Sequence, residues 1–301
     1  MPLGLKIKAM REKSLILDPV TASKIKALDL RAKLIVEGFL VGLHRSPYHG
    51  FSVEFAEHRP YNIGDDIRWL DWRVFARTER LYIRKFEEET NLRAYIVIDA
   101  SGSMGYGDKM DYTISLAASI AYLLNMQRDA VGLIVFSDSV KTALPPRMSR
   151  PHLMRILKNL SSIKPEGKTH PMQSFKVLAE TMRKKGLIIF ISDFFGDTEG
   201  FIKGLKLLRR LKHEVIAFQI IDKRELKLDG SASIFEDMET GERIPFDPRS
   251  MSDVYRQVID DFKNKVKHEL LSGLVEYELL DTSTPFDIAL IKFLRKREKL
   301  R

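Results

Sequence analysis

The sequence predicts an α/β protein built on a doubly wound, mostly parallel β-sheet with helices on both faces. From residue 91 onward, short apolar runs alternate with segments of helical periodicity, which is the pattern of repeated strand–helix–strand units. The apolar runs are continuous, as expected of strands that are covered on both faces. Hydrophobic residues make up 44% and charged residues 30% of the 301 positions, so the composition excludes a disordered or low-complexity chain.

Six apolar runs predict the strands of one sheet, and they span residues 95–98, 131–136, 140–144, 187–191, 215–221 and 274–280. The third run follows the second so closely that the two must pair as a hairpin, which predicts one antiparallel edge strand. Helical patterns accompany these runs at residues 111–126, 151–160, 172–184, 198–211 and 251–271 and from 285 onward. Residues 231–247 predict a small excursion from the main sheet, which consists of two paired strands.

The first 91 residues have a different pattern of apolar residues. They are predicted to form an N-terminal extension of an α/β domain that spans residues 92–301. Apolar residues at near-helical spacing predict a helix within residues 22–43, and alternation predicts a half-buried strand at 51–55. The segment 59–77 is interpreted either as a turn and short helix or as an ion-paired brace that holds the extension against the sheet.

The net charge of +9 is concentrated at the two ends of the chain. Residues 1–33 carry a charge of +5 and residues 285–301 a charge of +4, which leaves the middle of the chain neutral. The basic ends keep open a docking function on nucleic acid or on an anionic membrane surface. The chain contains no cysteine, so disulfides, thiolate metal sites and cysteine nucleophiles are excluded.

No stretch of the sequence approaches 18 uninterrupted apolar residues, and lysine and arginine interrupt the first eleven positions. The sequence therefore predicts a cytoplasmic protein without a transmembrane segment.

Polar residues directly after the predicted strands indicate where the chemistry lies, because ligands of open α/β sheets bind beyond the carboxyl ends of the strands. Asp99 and Asp193 each follow an apolar run, and Ser101 and Ser103 follow Asp99 in the next loop. Thr169 lies in a third loop, just before a predicted helix. Carboxylate and hydroxyl oxygens without histidine or cysteine favour a hard divalent cation, either Mg²⁺ or Mn²⁺.

The motif Asp99-x-Ser101-x-Ser103, followed by Thr169 and Asp193, resembles the metal-ion-dependent adhesion site of von Willebrand factor type A domains. The resemblance covers roughly residues 92–282 and implies a von Willebrand A-like fold. It also implies that the two serines and the threonine contact the ion, that the aspartates hold it directly or through water, and that a partner protein's Asp or Glu fills the open coordination position. Lys168 departs from the pattern, since a second small residue is more usual there.

The upstream segment resembles the bacterial domain-of-unknown-function-58 family. The resemblance is carried by Gly42-Leu43-His44-Arg45-Ser46, by Gly50 to Phe55, by Arg59 to Arg68, by Asp71-Trp72 and by Ala76-Arg77. Members of that family are often paired with MoxR-type AAA+ ATPases, so the resemblance implies a non-enzymatic adaptor or chaperone-like role with such an ATPase as partner.

Two alternatives remain beside this hypothesis. Each residue of the motif taken singly has a structural interpretation, as a helix cap or as turn chemistry. The same cluster could instead serve a Mg²⁺-dependent hydrolase. A phosphate-binding loop at residues 162–169 is disfavoured, because its first glycine is replaced by Ser162 and no strand pattern precedes it.

Overall fold

The computed structural model describes residues 23, 25–36, 58–60, 72–84, 92–169, 171–182, 184–226, 233–236, 243–246 and 248–298. The first helix, α1, covers residues 25–36. The other α-helices are α2 Trp72–Thr78, α3 Lys109–Met126, α4 Arg150–Leu160, α5 Pro171–Thr181, α6 Thr198–Arg210, α7 Lys223–Leu226, α8 Pro248–Ser272 and α9 Phe286–Glu298. The strands are β1 His58–Pro60, β2 Tyr82–Arg84, β3 Arg93–Asp99, β4 Ala130–Phe136, β5 Val140–Arg147, β6 Leu187–Ser192, β7 Glu214–Ile221, β8 Ser233–Glu236, β9 Arg243–Phe246 and β10 Glu276–Asp281.

Six strands form the central sheet in the order β10-β7-β6-β3-β4-β5. All neighbouring pairs are parallel except β4 and β5, which form the expected antiparallel hairpin at one edge. This arrangement confirms the predicted fold class, a doubly wound, mostly parallel α/β sheet with one antiparallel edge strand and helices on both faces. Gly132 lies in the hairpin beside a register shift, where a Cβ atom would be 2.7 Å from the Leu144 carbonyl oxygen.

The sheet is covered by a separate apolar core on each face, because alternate residues of each strand point to opposite sides. In β3, for example, Ile96 and Ile98 belong to one core and Val97 to the other. Residues of α1, α3, α4 and α9 complete the first core, and residues of α5, α6 and α8 complete the second. This burial on both faces explains why the strands are continuous apolar runs.

The point at which the chain changes direction across the sheet lies between β3 and β6. From β3 the chain continues to β4 and β5 on one side, and from β6 it continues to β7 and β10 on the other. The loops that leave β3 and β6 therefore diverge at the carboxyl edge. In open α/β sheets such a switch point is where a ligand can reach the ends of the strands.

Part of the N-terminal extension packs on the domain. Ile25, Leu28, Ala32 and Val36 of α1 are buried in the first core. Arg150 of α4 donates a hydrogen bond from Nη2 to an Asp29 carboxylate oxygen at a distance of 2.6 Å. The division at residue 91 remains a prediction, and the strand predicted at 51–55 lies outside the described residues.

Most predicted elements agree with the structure to within a few residues, and the small excursion is confirmed as the antiparallel pair of β8 and β9. Several boundaries differ by two or three residues, among them the end of α5 and the start of β10. Helix α5 ends at Thr181, and β10 begins at Glu276 because Leu274 has a left-handed backbone, with a φ of 58°. The patterns did not predict α7, the 3₁₀ turn Gly102–Gly105 or the antiparallel pairing of β1 with β2.

In the described parts of the chain, no helix combines the length and the apolar character that crossing a bilayer requires.

Candidate functional site

The structure brings the five residues of the predicted motif to the carboxyl edge of the sheet, in the loops around the switch point. We call Asp99, Ser101, Ser103, Thr169 and Asp193 the switch-point cluster. Asp99 ends β3, and Asp193 directly follows the neighbouring strand β6. Parallel pairing of these two strands therefore places the two carboxylates at the same edge of the sheet.

The Asp99 carboxylate is completely buried and held on both oxygens. Its Oδ1 accepts a hydrogen bond from the Ser101 backbone N–H at 3.0 Å, and its Oδ2 accepts one from the Ser192 hydroxyl at 2.7 Å. Ser192 is the last residue of β6, so its hydroxyl ties the ends of the two central strands together. The sequence analysis did not single out Ser192, because a serine beside the motif has no distinctive spacing.

The two serines lie in the loop that leads from β3 into the 3₁₀ turn. Ser101 Oγ and Ser103 Oγ are 3.1 Å apart, so they form a pair of oxygens on one side of the loop. Ser101 is buried and Ser103 is half-buried. The loop thus supplies two hydroxyl groups that are next to each other and next to Asp99.

The loop that carries Thr169 lies against the serine loop through two backbone hydrogen bonds. The Gly102 N–H donates to the Gly167 carbonyl, and the Glu166 N–H donates to the Ala100 carbonyl, each at 2.9 Å. Gly167 has a φ of 78°, which glycine adopts without strain. Thr169 is buried, and its Oγ1 has no hydrogen-bond partner within the described structure. An unpaired buried hydroxyl is costly, and this one, in a loop attached to the serine loop, is available to bind a ligand.

Asp193 is also fully buried, and both of its oxygens accept hydrogen bonds. Oδ1 accepts from the Phe195 backbone N–H at 3.0 Å, and Oδ2 accepts from the Lys109 ammonium at 2.7 Å. The Asp193 carbonyl accepts from the Gln219 side chain at 3.0 Å, which fixes the backbone of the loop to β7.

Lys109 is the unexpected member of this neighbourhood. It is the first residue of α3, its side chain is 0% exposed, and its second partner is Glu225 of α7 at 2.6 Å. Burial lowers the pKa of Lys109, but the Asp193 and Glu225 carboxylates outweigh this effect and leave the pKa above its usual value, so the side chain is an ammonium ion. The sequence carries one signal for it, since Lys109 precedes the buried residues Thr113 and Leu116 of the same helix at helical spacing.

Two buried carboxylates at one edge repel each other. Burial, together with the neighbouring Asp193 carboxylate, raises the pKa of Asp99 to about 7, although hydrogen bonds from Ser192 and Ser101 act in the opposite direction. The Lys109 ammonium donates to Asp193 and to Glu225. A further cation at this edge would stabilise the ionised form of Asp99.

The residues present fit a hard divalent cation. Within the described residues, no group of three or more His, Cys, Asp or Glu side chains is placed to hold a metal ion, which disfavours a site built on those residues alone. The switch-point cluster instead offers two carboxylates and three hydroxyls, of which the Thr169 hydroxyl lacks a partner. Oxygen donors of this kind suit Mg²⁺ or Mn²⁺.

Asp222 holds the loop that leads into Lys109 and α3 in place. Its Oδ2 accepts from the Asp108 backbone N–H at 2.9 Å, and its Oδ1 accepts from the backbone and the Nε of Arg224 at 2.9 Å and 2.7 Å. A Cβ atom at Gly107, whose φ is 59°, would lie 2.2 Å from Asp222 Oδ2, so only glycine fits. The side-chain hydrogen bonds from Arg224 hold the pKa of Asp222 well below its usual value.

The family described as Protein of unknown function DUF58 matches residues 57–269. An uncharacterized protein of Mycobacterium tuberculosis is 30% identical over 234 residues, which are 74% of this chain and 73% of that protein. Among solved structures, BatB from Bacteroides thetaiotaomicron aligns with 69% of this chain and 99% of its own at 18% identity and a TM-score of 0.48. An aerotolerance-related membrane protein from Bacteroides fragilis aligns over the same shares at 18% identity and a TM-score of 0.47.

We expect Asp222→Asn to destabilise the protein at pH 7 by about 1–3 kcal/mol. The N–H groups of Asp108 and Arg224 now donate to a carboxylate, and in the variant they would meet a neutral amide that has only one acceptor oxygen. Because the folded-state pKa of Asp222 is depressed, its contribution is present above its ordinary value of 3.8 and is lost as the pH falls below that value. Urea unfolding from pH 7 to pH 3 checks this: the gap between wild type and variant should narrow toward pH 3. Asp253→Asn, at an exposed carboxylate of α8, is the control, and a gap between wild type and Asp222→Asn that is independent of pH would contradict the interpretation.

Proposed function

The chain belongs to the DUF58 family, and we propose that its switch-point cluster is a metal-dependent protein-recognition site. Ser101, Ser103 and Thr169 would hold Mg²⁺ or Mn²⁺ together with Asp99 and Asp193. When bound, the ion would supply an open coordination position for a carboxylate of the partner protein. The observation that carries the proposal is the Thr169 hydroxyl, which is buried, has no partner among the described residues and lies in a loop attached to the serine loop.

The geometry favours recognition over bond making. Both oxygens of Asp99 already accept hydrogen bonds from neighbouring residues, and both oxygens of Asp193 do as well. Carboxylates that are buried and held in this way are fixed in orientation and are poorly placed to attack a substrate. The role of this edge is therefore to bind.

The surroundings of the cluster suit an acidic partner surface. Lys168 is exposed and directly precedes Thr169. An Asp or Glu that reaches the ion would thus approach the positive charge of Lys168. The partner implied by the family resemblance is a MoxR-type AAA+ ATPase, for which this chain would act as an adaptor.

Thr169→Val tests the metal site, because it removes one hydroxyl and preserves the shape of the side chain. We expect the variant to be as stable as wild type in chelator, since the lost hydroxyl has no partner in the part of the chain that the structure describes. A cation at 100 times its dissociation constant should stabilise wild type by about 2.7 kcal/mol and raise its unfolding midpoint by roughly 5–10 °C. Thermal unfolding in Mg²⁺, Mn²⁺, Ca²⁺ and chelator should show a smaller rise for the variant.

Thr142→Val, on the half-exposed strand β5, is the matched control and should keep the full cation-dependent rise. An equal rise for Thr169→Val and wild type would remove Thr169 from the site. No rise for any protein in any cation would contradict a metal site in the isolated chain.

Partner capture tests the function itself. We expect a purified MoxR-type ATPase to bind the immobilised chain in Mg²⁺ and to dissociate in excess chelator. The double variant Asp99→Ala, Ser101→Ala should reduce binding at least tenfold, which corresponds to about 1.4 kcal/mol. Asp253→Ala, Ser272→Ala changes the same residue types at exposed positions of α8 and should bind as wild type does. Binding that is unaffected by chelator would contradict metal bridging.

A further inference from the structure

The ammonium of Lys109 lies inside the protein, where mobile ions of the solvent do not reach it. Its Nζ is 2.7 Å from Asp193 Oδ2 and 2.6 Å from Glu225 Oε1. The rings of Phe195 and Tyr106 lie over it, with centroids at 5.1 Å and 5.8 Å. The side chain is 0% exposed, so this cation is a permanent part of the site.

The position of Lys109 conflicts with full use of Asp193 by another cation. The ammonium occupies Oδ2, and the Phe195 N–H occupies Oδ1. A divalent ion that binds Asp193 would either share the carboxylate with the ammonium or displace the ammonium from it. The ion would also be repelled by the positive charge of Lys109, which solvent does not screen. Each effect lowers the affinity of the site for the ion.

Glu225 gives Lys109 a second partner. Its Oε1 accepts from Lys109, and its Oε2 accepts from the Asp222 backbone N–H at 2.8 Å, so the carboxylate is held in place by α7 and the end of β7. If Asp193 turned toward an ion, Lys109 would keep Glu225 and would not be left as an unpaired buried charge.

From these contacts we propose that Lys109 is a built-in competitor for the divalent cation. It compensates Asp193 when no metal is bound, and it weakens metal binding so that stable occupancy depends on the carboxylate of the partner. This inference rests on the proposed metal site. It adds a reason for the partner and the ion to bind together: the partner's carboxylate supplies the attraction that Lys109 removes.

The decisive variant is Lys109→Met combined with Glu225→Gln. It removes one positive and one negative charge, so the net charge of the site is unchanged and only the competition for Asp193 is lost. Isothermal titration of the full chain with MnCl₂ and with MgCl₂ should give a dissociation constant about tenfold lower than that of wild type. In chelator the unfolding midpoint of the variant should be lower, and the rise on adding cation should be larger.

The matched control is Lys206→Met with Glu269→Gln, which removes an ion pair of 2.6 Å between α6 and α8 away from the site. Its cation affinity should equal that of wild type. If wild type binds the cation and the double variant binds it with equal or lower affinity, the competitor role of Lys109 is overturned. The proposed metal site is not contradicted by that result. Failure of all three proteins to bind either cation would overturn the metal site and this inference with it.

A second variant keeps the test valid if the double variant does not fold. Glu225→Gln alone leaves Lys109 with Asp193 as its carboxylate partner, so the competing ion pair becomes stronger. We expect this variant to bind Mn²⁺ several-fold more weakly than wild type, and affinity equal to or above wild type would contradict the proposal.

Discussion

Two carboxylates buried side by side at the end of a parallel sheet are the constraint around which this site is organised. Asp99 and Asp193 are both 0% exposed and end or follow adjacent strands. Like charges in a poorly polarisable environment repel strongly, and each needs hydrogen bonds or a cation to remain there. Ser101 and Ser192 donate these hydrogen bonds to Asp99, and Phe195 and the Lys109 ammonium donate them to Asp193.

The fold meets this constraint with parts that come from distant positions in the sequence. Ser192 donates to Asp99 from the next strand, and Lys109 donates to Asp193 from the first turn of α3. Phe194, in a left-handed conformation with a φ of 64°, turns the chain so that its own ring enters the second core while its N–H donates to Ser192. Core packing and the polar network are thus coupled at one loop, and the carboxylates are held before any ligand arrives.

Much of this arrangement could be predicted from the sequence because it depends on local patterns. Buried strands such as β3 and β6 are visible as continuous apolar runs, and the residues that follow them are placed at the carboxyl edge by the parallel topology. Lys109 and Glu225 could not be assigned in the same way. Their pairing joins positions 116 residues apart, and a lysine in the first turn of a helix is ordinarily solvated.

The start of β10 was predicted two residues too early because of a backbone conformation. Leu274 is an apolar residue in an apolar run, yet it is exposed and left-handed in the turn between α8 and β10. Hydrophobic pattern reports average burial and does not report the φ angle of a single turn residue. The hairpin of β4 and β5, in contrast, followed from the short connection alone.

Anomalous diffraction from crystals of the full chain grown with Mn²⁺ tests the central claim most directly. The account predicts an anomalous peak for a manganese ion that is coordinated by the hydroxyls of Ser101, Ser103 and Thr169, and by Asp99 and Asp193 either directly or through water. A map with manganese bound only at other sites, and with the Thr169 hydroxyl still unpaired, would contradict it.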